Sequence, residues 1–338
     1  MKRNMALRLT KQTLTGLNFG FKKSARKGFL RREPDIFWQC LLQQHSKGLS
    51  SRFVPLSGVV DATEEDLCNL ENFVSNAKRL FVLTGAGVST ESGIRDYRSE
   101  GIGLYEISNH RPILHDDFLK KPGRRHRYWA RNFAGWPVFW SKIPNKNHIC
   151  LAEMEEREKI HWLVTQNVDG LHTKAGSKRV TELHGTSSLV HCLSCKREIS
   201  RHELQEKLYK LNAGWEGVRH GQDAPDGDIV VDDNLIGSFK MLNCEVCNGI
   251  LKPKIVFFGD NVPPEVKNFV NKKLDESDAL LIIGSSTETY SSYRLALAAK
   301  QKEMPIAILN IGKTRSDHLA DLKISAISGE VLPLLNYN

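Results

Sequence analysis

The apolar positions of this chain fall into short, nearly continuous runs separated by stretches of helical period. The run Leu80-Phe81-Val82-Leu83-Thr84 shows no alternation with polar residues, as expected of a strand buried on both faces of a parallel sheet. Similar runs recur at Trp162–Thr165, Ile255–Phe258, Ala279–Ile283 and Ile306–Leu309. Ahead of the first run, Leu67, Leu70, Phe73, Val74 and Ala77 repeat at helical spacing, and Thr63-Glu64-Glu65-Asp66 supplies a capping box with Thr63 as N-cap. Further helical stretches are expected over 149–159, 264–277 and 291–303. Strands alternating with helices predict βαβ units with right-handed crossovers. The fold class is therefore α/β, with a Rossmann-like parallel sheet.

Two segments break the alternation. Residues 100–148 are rich in Trp, Arg, His and Pro, and residues 190–252 open and close with cysteine pairs. Both read as insertions that build a smaller, zinc-binding and helical domain. The expected division is a Rossmann-like domain from 53–100, 149–190 and 253–335, a helical insertion at 101–148 and a zinc-binding module at 191–252. Residues 33–60, with Pro34, Pro55 and Gly58, read as a linker or extended arm.

Several strands end in small or polar residues: Thr84-Gly85-Ala86-Gly87, Gln166-Asn167-Val168-Asp169, Gly284-Ser285-Ser286 and Asn310-Ile311-Gly312. In open α/β sheets ligands lie at the carboxyl ends of strands, so these four ends are expected to line one crevice. The run Gly85-Ala86-Gly87-Val88-Ser89-Thr90-Glu91-Ser92-Gly93 resembles a dinucleotide loop, although Thr90 stands where a third glycine belongs. A tight turn without a ligand would use the same glycines. Asn167 and Asp169, two apart at a strand end, can face one side and orient a ribose, a water or an amide. His184, beside Gly185, is a candidate general base; taken alone it can equally be a structural histidine.

Four of the seven cysteines form the pairs Cys192/Cys195 and Cys244/Cys247, 48 residues apart. Such a thiolate set suits one tetrahedral Zn2+ in a closed, structural site. A redox pair is the competing reading, and it lacks a thioredoxin-like context. Cys40, Cys68 and Cys150 are scattered, so no disulfide framework is expected and a reducing compartment is implied.

Charge changes the picture only at the start of the chain. The 338 residues carry a net charge of +9, but residues 1–32 hold ten Lys and Arg and no Asp or Glu. The remainder is close to neutral, which removes the main support for a nucleic-acid partner. An arginine-rich, acid-free start with interspersed Leu and Phe fits a mitochondrial presequence within 1–45, against the alternative of a disordered basic tail. No stretch approaches the roughly 20 apolar residues of a membrane span.

Taken in order, Gly85-Ala86-Gly87-x-Ser89, Gly93-Ile94-x-Asp96-Tyr97-Arg98-Ser99, Gln166-Asn167-Val168-Asp169-Gly170-Leu171-His172, His184-Gly185, the two cysteine pairs, Phe258-Gly259-Asp260 and Gly284-Ser285-Ser286 resemble the sirtuin family over about residues 53–335. Ala224-Pro225-Asp226-Gly227-Asp228 and Asn310–Asp317 look most like its class II, mitochondrial type. The resemblance implies an enzyme that cleaves the nicotinamide–ribose bond of NAD and transfers an acyl group from lysine to ADP-ribose. It implies that the loop from Ala86 to Tyr105, with Asp96, Tyr97 and Arg98, covers the NAD, and that Gly85–Gly87 lie near its pyrophosphate. Asn167 and Asp169, with Gln166 and Val168, would surround the nicotinamide. Gly284, Ser285 and Ser286 would contact phosphate or ribose, and Asn310-Ile311-Gly312 would border the adenosine, with Ser328 near adenine. His184 would be the general base on a ribose hydroxyl, active only when neutral.

The same resemblance implies acylated lysines of mitochondrial-matrix proteins as partners, adding as a strand near Val256, Phe257, Phe258 and Gly259. Tyr128 and Arg131 would bind an acidic acyl group; the alternative is a surface arginine in a segment rich in them. Arg95 stands where the family has proline, and is expected to loosen the cofactor loop. Thr186 follows His184-Gly185 where Ser or Cys is commoner. Thr287-Glu288-Thr289 replaces apolar residues near the expected substrate face, which points to acyls larger than acetyl, such as lipoyl or methylglutaryl-type groups. A mono-ADP-ribosyltransferase needs the same NAD cleavage and is the main rival. A non-catalytic NAD sensor or zinc module, and a hydride-transfer enzyme, are the readings from other classes.

Overall fold

The computed structural model describes residues 61–108, 111–215 and 224–336; the expected presequence lies outside them. The first helix, Glu64–Asn76, starts at Thr63, whose hydroxyl accepts from the Asp66 N–H while the Asp66 carboxylate accepts from the Thr63 N–H. It delivers the chain into β1 (Leu80–Thr84), every residue of which is buried. The following strands are β2 (Ile160–Thr165), β3 (Val180–Glu182), β4 (Gly185–Cys192), β5 (Glu198–Ser200), β6 (Leu251–Ile255), β7 (Ala279–Ile283), β8 (Ile306–Leu309) and β9 (Leu322–Ile324).

Six of them form one parallel sheet in the order β3-β2-β1-β7-β8-β9. The chain works outward from β1 in one direction and then outward from β7 in the other. The strand order therefore reverses between β1 and β7, where a doubly wound sheet leaves a crevice at its carboxyl edge. The two-residue side-chain period of a strand explains how one sheet feeds two cores. Leu80, Val82, Leu281, Ile283, Ala307 and Leu309 pack on one face, against helix Lys146–Glu156 and the C-terminal turns. Phe81, Leu83, Leu280, Ile282, Ile306 and Ile308 pack on the other, against helices Pro264–Asp275 and Tyr290–Gln301.

The second lobe holds a third core and an antiparallel sheet in the order β5-β4-β6. Its main support is the long helix Pro122–Ser141, which buries Tyr128, Trp129, Phe133, Trp136 and Phe139. The run Ile255–Phe258, expected as a main-sheet strand, instead ends β6 and crosses between the lobes. Val256 N–H donates to the His184 carbonyl at 2.8 Å, and Phe258 makes a parallel bridge to Leu114. A short apolar run cannot by itself distinguish a central strand from such a crossing segment. The second sheet also takes in β4 from Gly185 onward, ahead of the expected module boundary at 191.

The segment after Ala224 lies against the long helix so closely that a Cβ on Gly135 would meet the Gly227 carbonyl oxygen at 2.2 Å. Gly135→Ala is expected to lower the unfolding free energy by about 2 kcal/mol or more, through forced separation of these backbones. Urea titration of variant and wild type checks this; an unchanged midpoint would show that the approach is dispensable.

Candidate active site

At the carboxyl edge of the parallel sheet the loops after β1 and β7 are pressed together. Gly85 N–H donates to Ile283 O at 3.2 Å and Gly87 N–H donates to Gly284 O at 2.9 Å. A Cβ on Gly85 would stand 2.8 Å from the Ser285 Cβ, and one on Gly87 would stand 2.8 Å from the Gly284 oxygen. Both glycines are therefore fixed by loop-to-loop packing, and the Gly87 N–H is already engaged.

These loops floor a cleft of about 1730 Å³ between the lobes. All four polar strand ends meet there: Gly85–Gly87, Gln166–Val168, Gly284–Ser286 and Asn310–Gly312. Asp96, Tyr97, Arg98, His184, Ser328 and the stretch Val256–Gly259 line it as well. Tyr105, Asp169, Tyr128 and Arg131 are not part of this lining. Tyr128 is enclosed by Phe118, Trp129 and Phe257, and Arg131 pairs with the buried Asp228 at 3.0 Å. That guanidinium also donates to the Ile229 carbonyl, so its contacts are with the 228–229 segment beside the long helix.

Gln166 ties the floor together. Its side-chain amide donates to Ser285 Oγ at 2.7 Å and to Thr84 O at 3.2 Å, and its Oε1 accepts from Thr289 Oγ1 at 3.1 Å. Asn167 donates to Gly85 O at 3.0 Å and to Ser89 Oγ at 3.1 Å. Ser89 in turn donates to Asp169 Oδ2 at 2.7 Å, and Asp169 Oδ1 caps Leu171 N–H at 2.9 Å. The amide-and-carboxylate pair read from the sequence is thus linked through a serine hydroxyl. Next to it, the His148 and His172 rings lie 4.8 Å apart, tilted at 59°, with His172 Nε2 3.0 Å from Thr84 Oγ1.

His184 occupies the junction between β3 and β4, so its position is set by both sheets. Its Nδ1 meets the Gln166 carbonyl at 3.0 Å. A carbonyl can only accept, so Nδ1 carries the proton and Nε2 the lone pair. Nε2 meets the Ser291 hydroxyl at 2.8 Å. Burial pushes the His184 pKa down to about 4, partly opposed by the Gln166 hydrogen bond. The imidazole is therefore neutral well below its ordinary range near 6.5. Ser291, Thr289 and Ser89 complete this hydroxyl network. Ser89 carried a sequence signal within the glycine loop and Thr289 within the Thr287–Thr289 stretch; Ser291 carried none.

Two departures noted in the sequence prove structural. Arg95 is buried and donates to the Ile102 carbonyl, tying the loop down where proline was expected to be needed. Asp96 holds the same loop by accepting from Arg98 N–H and Ser99 N–H at 2.9 and 2.7 Å. Thr287 has a positive φ of 51° and is buried, with its hydroxyl 2.8 Å from Ser316 Oγ. It points into the fold, away from the cleft, and of Thr287–Thr289 only Glu288 is exposed.

The four paired cysteines converge outside the cleft. Their sulfurs all lie within 4.8 Å of one another, with Cys192–Cys247 at 3.4 Å and Cys195–Cys244 at 3.7 Å. Zinc–sulfur bonds of about 2.3 Å in a tetrahedron require sulfurs about 3.8 Å apart, so the donor set fits one Zn2+. Each pair sits in the same turn: Lys196 N–H donates to Cys192 O, Asn248 N–H donates to Cys244 O, and Lys196 and Asn248 have φ of 61° and 56°. None of the described cysteines lines the cleft, so a metal held by this cluster would stand apart from it.

The Sir2 family model matches residues 85–291. This chain belongs to the Sir2 family. It is 51% identical over 294 residues to the human NAD-dependent protein lipoamidase sirtuin-4, mitochondrial, covering 87% of this chain and 93% of that protein. It is 49% identical over 272 residues to the Drosophila melanogaster NAD-dependent protein deacylase Sirt4, covering 80% and 87%. A solved Sir2 complex with a p53 peptide and NAD+ aligns with a TM-score of 0.62 at 27% identity, covering 78% of this sirtuin and 95% of that chain. NAD is the cosubstrate of the family.

Metal analysis of the purified sirtuin is expected to give about one zinc per chain, and Cys195→Ser to lose it together with several kcal/mol of stability. Full stability without metal would remove zinc from the fold.

The buried imidazoles make the stability of the fold depend on pH. Burial lowers His148 and His172 to about 3, and His184 to about 4. In the unfolded chain each titrates near 6.5, so acidification protonates the unfolded state first. Stability should be fully present above about pH 6.5 and fall toward pH 4, by on the order of 1 kcal/mol per pH unit for each histidine. Urea midpoints from pH 7 to 5 test it; a flat profile rejects the burial argument.

Proposed function

We propose that this sirtuin is an NAD-dependent protein-lysine deacylase of the mitochondrial matrix, and that its acidic-free, basic N-terminal segment is a presequence. The observation that carries the catalytic reading is the tautomer of His184: its Nδ1–H is spent on a carbonyl, so a neutral, basic Nε2 faces the cleft. Bound NAD would supply a cleavable nicotinamide–ribose bond and an ADP-ribose acceptor for the acyl group. Gly85–Gly87, Ser285 and Ser286 would bind its phosphates, Asn310 and Ser328 its adenosine end, and Asp96, Tyr97 and Arg98 would close over it. Asn167, held by Gly85 O and Ser89, would orient the nicotinamide side, with Asp169 fixing that hydroxyl from behind.

His184 Nε2 would accept a proton from a ribose hydroxyl, which makes that oxygen the nucleophile toward the acyl carbon. Ser291 must then yield the hydrogen bond that it makes to Nε2. The acyl-lysine peptide would lie along Val256–Gly259, where it must use groups other than Val256 N–H and Phe258 C=O, both already bonded. Because the human and bovine relatives are named lipoamidases, lipoyl-lysine is the first acyl to test.

Mass spectrometry with NAD and acetyl-, succinyl-, methylglutaryl-type and lipoyl-lysine peptides tests this. The expected products are nicotinamide, free lysine and O-acyl-ADP-ribose in equal amounts, with turnover reduced by about 100-fold or more in His184→Ala. Turnover should persist below pH 6, because His184 stays neutral down to about pH 4. ADP-ribose attached to protein, without acyl-dependent product, would replace this reading with mono-ADP-ribosyl transfer.

A further inference from the structure

Arg294 lines the same cleft and has no assigned work. It sits on helix Tyr290–Gln301, three residues beyond Ser291, so both face the same side of the helix. Its Nε and Nη2 are shielded from solvent and meet no acceptor among the described residues. No acidic side chain among them forms an ion pair with it. The contrast with the other enclosed guanidiniums is direct: Arg201 bonds to Asn132 and lies over the rings of Trp129 and Trp136, Arg125 bonds to the Phe118 carbonyl, and Arg131 pairs with Asp228.

A half-buried cation without an anion is a net cost to folding, and buried polar groups left unpaired in native proteins call for an explanation. The cleft supplies one. Helix Tyr290–Gln301 packs beside helix Pro264–Asp275, whose first turn follows the Val256–Gly259 stretch. The exposed Lys267 lines the cleft from that helix. This wall therefore carries the cations of Arg294 and Lys267, with Glu288 and Asp260 also lining the cleft, and lies next to the segment assigned to the acyl peptide.

We infer that Arg294 is a specificity residue that takes a carboxylate of the acylated substrate, presented by an Asp or Glu close to the modified lysine or by the far end of an acidic acyl chain. A guanidinium offers two donors in a plane that matches a carboxylate, which a lysine would not reproduce; because Nε and Nη2 are shielded, the side chain must turn to present them. The inference rests on the deacylase reading and adds to it a substrate class.

The test compares peptides of one sequence that differ only by Glu or Gln at each position flanking the acyl-lysine, together with a neutral peptide carrying glutaryl-lysine. Wild type is expected to favour one carboxylate-bearing substrate by roughly tenfold in kcat/KM, mainly through KM, with the advantage shrinking at high salt. Whether the favoured carboxylate lies on the peptide or on the acyl chain identifies its source. Arg294→Gln should abolish the preference while leaving turnover of the neutral Gln peptide within about twofold, and Arg294→Lys should restore only part of it. Because the variant removes an unpaired cation, its melting temperature should be unchanged or higher. Absence of any carboxylate preference in wild type, or its survival in Arg294→Gln, overturns the inference. So does a raised KM for NAD with unchanged peptide kinetics, which would assign the arginine to the cosubstrate. If no peptide is turned over, the deacylase reading fails separately. Fluorescence anisotropy of the labelled Glu and Gln peptides then decides: Glu-dependent binding lost in Arg294→Gln supports the inference, and equal binding rejects it.

Discussion

The contact between the loops after β1 and β7 is the constraint on which the site depends. Two adjacent parallel strands can bring their following loops within hydrogen-bond range only if neither loop carries a Cβ where they touch. Gly85 and Gly87 meet that condition on one side and Gly284, at φ 56°, meets it on the other. Once the loops are closed, Ser285 lies within reach of Gln166 and Gly85 O within reach of Asn167. The polar groups of three strand ends then fix one another, and the cleft acquires a rigid floor before any ligand enters. Glycine spacing that looks like a ligand motif is here also a packing requirement.

Above that floor the chemistry depends on a gradient of burial. The imidazoles of His148 and His172 sit next to the Asn167–Ser89–Asp169 chain, enclosed and neutral. His184 is also held neutral, yet one nitrogen opens to the cleft. Its backbone adds a second function: the His184 carbonyl accepts from Val256, the first residue past β6. The residue that bears the candidate base is thus also the seam where the parallel sheet passes into the antiparallel one. With zinc bound, the cysteine cluster would tie down the far part of that second sheet, acting on the site through the position of β4 and β6.

Much of this was legible in the sequence. Unbroken apolar runs located β1, β2, β7 and β8, because strands buried on both faces leave no polar alternation to confuse with helix. The capping box placed the start of the first helix, and the cysteine spacing located the cluster. The convergence of Gly85–Gly87, Gln166–Val168, Gly284–Ser286 and Asn310–Gly312 followed from one topological rule. What the sequence hid was the direction of side chains. Ile255–Phe258 has the composition of a central strand but is claimed by a smaller sheet. Thr287 and Arg95 looked like changes at the ligand surface and point inward instead. Arg131 sits in a cluster of arginines, and only the fold shows that Asp228, nearly a hundred residues away, consumes its charge.

The same logic separates Arg294 from its neighbours. A cation is legible in a sequence, but its partner is not, since ion pairs form across distances that bear no relation to spacing. Among the described residues, folding gives Arg125, Arg131 and Arg201 an acceptor, but not Arg294, which lines the cleft from the helix that carries Ser291. A fold stable enough to carry that deficit can hold a positive field in place without reorganisation when a substrate arrives. His184 supplies a neutral base, which cannot itself discriminate among acyl-lysines. Discrimination must come from groups that contact what surrounds the reacting bond, and an unpaired guanidinium on the cleft wall is the strongest such group the described residues provide.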